Sequence, residues 1–197
     1  LTRDELTARL NASMEARMVQ ILTGIADRKL ESPEQYDQIK DLIDLTFHPK
    51  KEVGFRAAWT LEYIFMNHHC AGDHLDDLLS RFPEQKNQSC MRHYGKILAY
   101  LTGKKSTGLH PGQLEKIDFD PIIDVLFGWL IDEKVLVATK VHAMQTLANL
   151  TPRYTWIKDE LLQTITHLED LESIAFFGRA KQIRKALKKI KVENNDL

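Results

Sequence analysis

Glycine and proline are scarce in this chain, 9 and 6 residues among 197. Turns are therefore few and the elements between them long. Alternating β-branched runs flanked by Asn-Gly or Asp-Gly are also missing, which removes hairpins and sheets from the expected architecture. Two cysteines are too few for a disulfide framework. The longest unbroken apolar run is Val125–Ile131, VLFGWLI, far short of a membrane span. With no N-terminal charged-then-apolar signal in the sequence, the cytoplasm is the expected compartment. Neither charge sign dominates: 27 Lys and Arg face 28 Asp and Glu, a net charge of −1. That balance argues against a polyanion such as bulk nucleic acid as an obligatory partner.

Helical periodicity fills the space these absences leave. In KEVGFRAAWTLEYIF the apolar residues Ala57, Leu61, Ile64 and Phe65 recur on one helical face. Thr2-x-x-Glu5 and Ser32-Pro33-Glu34-Gln35 read as capping boxes. Asp120-Pro121 and Thr151-Pro152 read as further helix starts, and Gly24, Gly72 and Gly103 as stops. Two short helices are expected within 2–26. Pairs are expected at 33–47 with 51–69, 73–82 with 88–102, 121–132 with 134–150, and 153–168 with 173–190. The stretch 103–118 reads as an insertion loop in a single domain spanning 1–190, and 191–197 as a disordered tail.

The second helix of each pair aligns on one apolar anchor: Leu61, Leu98, Leu147 and Ile183. The anchors are spaced by 37, 49 and 36 residues, and the insertion absorbs the longer middle step. A small residue precedes each anchor on the same face: Ala57, Gly95, Ala143 and Ala180. On these residues the chain resembles the HEAT-like, armadillo-type family of helical-hairpin repeats, whose repeats run to about 40 residues. The resemblance implies an all-α fold, an α-α superhelix of four to five hairpins. It also implies a concave face lined by the second helices. AAWTLEYI and HAMQTLANL are similar to a group of small bacterial HEAT-like proteins, some of which go by the name adenylosuccinate lyase. That activity implies a much longer chain and a Ser-Ser-x-Met-Pro loop, and neither occurs here.

Cys70-x3-His74 and Cys90-x2-His93 carry four ligands of the kind a tetrahedral zinc takes. The helix assignment separates the pairs. Cys70 and His74 fall at one end of helix 73–82, whereas Cys90 and His93 fall at the other. Eight helical residues span about 12 Å, too far for one ion. A Cys70–Cys90 disulfide fails for the same reason. A smaller site, His68 or His69 with Cys70 and His74, lacks a fourth ligand. No metal and no cofactor are therefore expected.

Opposite the core, the aligned second helices present three rows. The first holds Arg56, His93 and His142. The second holds Trp59, Lys96, Gln145 and Lys181, and the third Tyr63, Tyr100, Asn149 and Lys185. Aromatic and hydrogen-bonding residues mixed on one face suit recognition of a protein or peptide; alternatively, Trp59 and Tyr63 pack on the N-terminal helices. No nucleophile–base–orienter set can be drawn from these rows, so an interaction module rather than an enzyme is expected. The last helix is basic, with Lys181, Arg184, Lys185 and Lys188 as a candidate anion patch, or else the outer face of a terminal helix. Trp129 and Asp132 in FGWLID resemble the aromatic–aspartate pairing of HEAT-like DNA glycosylases. That resemblance implies nucleic-acid binding or base excision as the alternative function. GKKSTGLHPG lacks the spacing and the preceding strand of a phosphate-binding loop.

Overall fold

The structure is a computed structural model that describes residues 2–12, 33–104, 106, 112–169 and 171–189. Among these residues the regular structure is entirely helical. Nine α-helices follow in chain order. They are α1 (Arg3–Asn11), α2 (Pro33–Leu45), α3 (Lys51–Asn67), α4 (Leu75–Arg81) and α5 (Gln88–Leu101), then α6 (Asp120–Ile131), α7 (Val137–Leu150), α8 (Ile157–Leu168) and α9 (Ile174–Leu187). The centre of the expected insertion, the tail at 191–197, Gly24 and the Ser32 cap lie outside the described residues.

Local chemistry explains most of the boundaries. Thr2 and Glu5 form the reciprocal capping box that starts α1. Asn87 accepts the Ser89 amide at the start of α5. Three expectations shift. Gly72 does not stop a helix: α3 ends at Asn67, and His69–His74 continues as a 3-10 turn. Asp120 does not cap α6; the Asp118 carboxylate instead accepts the Asp120 amide. Thr151-Pro152 does not open α8 either. Residues 151–156 form turns, and the helix begins at Ile157.

Packing arranges these helices in two layers. The second helices α3, α5, α7 and α9 stack successively on one another, and the α5–α7 contact is the most extensive in the molecule. The first helices α2, α6 and α8 each lie against their own partner. All four anchors are fully or almost fully buried, as are Ala57, Ala143, Ala180 and Gly95 beside them. A Cβ added at Gly95 would stand 3.2 Å from His142 Cβ, so the small residue sets how closely α5 approaches α7. Between the layers, Phe82 stacks on Trp129 with centroids 4.7 Å apart. Trp129 is thus core, and it is not free to act on a base.

Two buried cations fasten the ends of the stack. Arg56 is only 6% exposed, and its guanidinium donates to the Leu10 and Ala12 carbonyls at the end of α1. Those carbonyls have no partner within their own helix, so Arg56 supplies what the helix end lacks. Lys140, in the first full turn of α7, is 1% exposed and paired with Glu172 before α9.

Candidate functional site

The face of α3, α5, α7 and α9 that points away from the first helices collects most of the sequence-predicted residues. Arg56 is the clear departure. The row alignment puts it beside His93 and His142, but the structure turns it inward to hold α1. His93 is also interior, 2% exposed. Its Nδ1–H donates to Glu62 at 2.6 Å, and Arg92 donates to its Nε2 at 3.2 Å.

Lys96 donates to the other Glu62 oxygen at 2.5 Å. Burial pushes the Glu62 carboxyl up. The hydrogen bonds from His93 and Lys96, with the Lys96 charge, more than offset that and hold it below its ordinary value. Further along, Arg179 of α9 donates to Gln145 at 3.1 Å, and Gln145 donates to Asn149 at 2.9 Å. Asn149 in turn donates to the Ala99 carbonyl and to Thr102 of α5. Two polar networks therefore cross the second helices, one joining α3 to α5 and the other joining α5, α7 and α9.

His142 feels the charges of both networks. Burial lowers the pKa of its ring, and the cations Lys96, Arg179 and Arg92 lower it further, to about 4. The imidazole is neutral near pH 7. An unfolded chain takes up a proton at His142 below about pH 6.5, whereas the folded chain refuses it until about pH 4. Stability therefore falls as pH falls through that window. Glu62 adds to the loss at its lower end, because its folded-state pKa is depressed. Between pH 7 and pH 5 the wild type should lose on the order of 1–2 kcal/mol more than His142→Gln. Urea unfolding at the two pH values measures this difference, and equal losses would contradict it.

The aromatic residues are half-buried and pack on the core edge. Trp59 stacks on Tyr63 at 6.5 Å, and Tyr63 tilts against His68 at 6.1 Å. The Tyr100 hydroxyl donates to the Met66 carbonyl at 3.3 Å. Each ring keeps one side on the core and leaves part of its surface open.

Lys181 and Lys185 depart from their rows. They line a separate depression of about 460 Å³ with Glu169, Arg184 and Lys188. Arg184 there is already bound to Glu169 and Thr166. At α9 the first row is instead continued by Gly178, which shares a groove with His142. Sequence reasoning missed Glu62 and Arg92, and it placed Arg179 only among the cations of the basic last helix. Glu62 follows the buried anchor Leu61 directly, and that placement on an inner helix was the available signal.

Both members of the second expected zinc pair, Cys90 and His93, are committed elsewhere. Cys90 is fully buried, its thiol donates to the Thr46 carbonyl, and burial pushes its pKa up to about 12. His93 is held by Glu62. Among the described residues, no group of three or more metal-ligating side chains comes together. The side chains of His69 and Cys70 lie outside the described residues.

The chain matches no family model and no curated protein by sequence. Solved structures do match. A designed armadillo repeat protein is 14% identical, with a TM-score of 0.57 over 94% of this chain and 88% of that one. The fold is that of the armadillo-type helical repeats. A second designed armadillo repeat protein, in complex with the peptide (KR)4, is also 14% identical, with a TM-score of 0.58 over 95% and 87% of the two chains. An engineered protein gives a TM-score of 0.61 at 16% identity, over 94% of this chain and 80% of the other. The armadillo-type stack accounts for the successive contacts of α3, α5, α7 and α9.

Proposed function

We propose that the protein is a non-enzymatic armadillo-type module that binds an extended segment of a partner protein along the face of α3, α5, α7 and α9. One observation carries this reading. That single continuous face leaves Trp59, Tyr63, Lys96, Tyr100, His142, Gln145 and Asn149 partly open, rather than sealing them into the core. Half-exposed aromatic rings beside hydrogen-bonding side chains suit a peptide, whose backbone needs both apolar cover and polar partners. A designed relative in fold is in complex with a peptide, which supports the same use of the stack here. The non-enzymatic part rests on chemistry already committed: the Cys90 thiol is pushed far from reactivity, and His93 is tied to Glu62. No helix among the described residues is long and apolar enough to cross a membrane, and a cytoplasmic site of action fits this reading.

Nucleic-acid binding has the Lys181–Lys188 depression in its favour. That patch already includes Glu169, and the whole chain carries a net charge of −1. Peptide binding is therefore the stronger reading.

Selection of a random peptide library on the immobilised protein tests it. Selected peptides should lose at least about tenfold in affinity for Trp59→Ala and for Gln145→Ala, while both variants keep a cooperative melt. Peptides that bind both variants as tightly as wild type would overturn the proposed face.

A further inference from the structure

A groove of about 530 Å³ opens between the N-terminal halves of α7 and α9, with Arg92 of α5 at its rim. Val137, Val141 and Ala175 give it an aliphatic wall, and Gly178 leaves room beside it. Arg92, His142 and Arg179 supply its charge and hydrogen-bonding groups, and its lining holds no carboxylate. Glu62 is the acid whose charge reaches His142, and His93 and Lys96 already bind it. The His142 ring makes no hydrogen bond among the described residues. Two guanidinium groups and an unengaged imidazole thus face an aliphatic wall without a counter-ion. Burial first, and then the charges of Lys96, Arg179 and Arg92, keep His142 neutral.

We infer that this groove is the anchor for a carboxylate side chain of an acidic peptide, with an aliphatic residue of the same peptide lying against Val137 and Val141. This rests on the peptide-binding reading above and gives it a partner chemistry. A guanidinium fork grips a carboxylate in two places, and each arginine brings geometric selectivity as well as charge. Nucleic acid fits less well, because the groove offers no Phe, Tyr or Trp ring on which a base can stack. The designed relative in complex with (KR)4 carries the opposite peptide charge. The prediction is therefore specific to this chain's own residues.

Fluorescence anisotropy tests it with four labelled probes of equal length. One is a peptide of alternating Leu and Glu, and two others replace Glu by Gln or by Lys. The fourth is an oligothymidylate. The Leu-Glu peptide should bind at least about tenfold tighter than either of the other peptides and tighter than the thymidylate. Arg92→Gln and Arg179→Gln should each weaken it about tenfold, and Lys188→Gln, in the separate depression, should leave it unchanged. Melting of each variant shows that it is folded. Tighter binding of the Gln peptide, the Lys peptide or the thymidylate overturns the inference. So does full-strength binding of the acidic peptide to both arginine variants. If only the Lys or Gln peptide binds, and Trp59→Ala abolishes it, the groove assignment fails while the binding face stands. If none of the four probes binds, both fail.

Discussion

Glu172→Ala should destabilise the fold by about 3–5 kcal/mol, the usual cost of leaving one buried partner of an ion pair unpaired. Lys140 has 1% of its surface exposed, so its ammonium would remain in a poor solvent with its counter-charge gone. The pair also ties α7 to the turn before α9, which joins the last two repeats. In a domain of this size each kcal/mol moves the melting point by about 2–4 °C, so a fall of roughly 10 °C is expected. The double variant Lys140→Met with Glu172→Leu should recover most or all of that loss, because a well-packed apolar pair avoids both desolvation costs. Differential scanning calorimetry of the two variants measures the contrast. A loss under about 1 kcal/mol for Glu172→Ala would mean that Glu133 and water in the adjoining cavity replace the lost partner.

Gly95→Leu should cost about 1–3 kcal/mol or more through overpacking. A Cβ there meets His142 Cβ at 3.2 Å and the Trp129 ring at 3.7 Å, at the most extensive helix contact among the described residues. Longer side chains must force α5 from α7 and deform the groove that both helices help to form. Gly128→Ala is the matched control. Nothing lies within 4 Å of its added Cβ, so the gain in helix propensity should raise stability by roughly 0.5–1 kcal/mol. Urea denaturation of both variants separates close packing from backbone preference. Equal effects at the two glycines would show that Gly95 does not govern the approach of α5 to α7.

The fold was legible because its signal is periodic. Leu61, Leu98, Leu147 and Ile183 recur with small residues beside them, and all four are buried in the stack. A face made of apolar positions can be counted along a chain. Polar partners cannot be counted so easily. Glu62 meets residues 31 and 34 positions away, and Lys140 meets one 32 positions away. The one local mark of Glu62 is its place beside the anchor Leu61, and nothing local marks Lys140 as buried. Arg56 obeys the row spacing yet turns inward, because the end of α1 presents carbonyls that need donors. At α9 the row spacing gives no sign that Arg179 reaches back to Gln145. Row alignment finds positions; it does not reach the ends of long side chains.

The central claim is that binding happens on the face of α3, α5, α7 and α9. Amide chemical-shift mapping with the Leu-Glu peptide tests it most directly. Saturable shifts should concentrate at residues near Lys96, His142, Gln145 and Arg179, and leave α2, α4 and α8 unchanged. Shifts centred on those outer helices, or none that saturate, would contradict it.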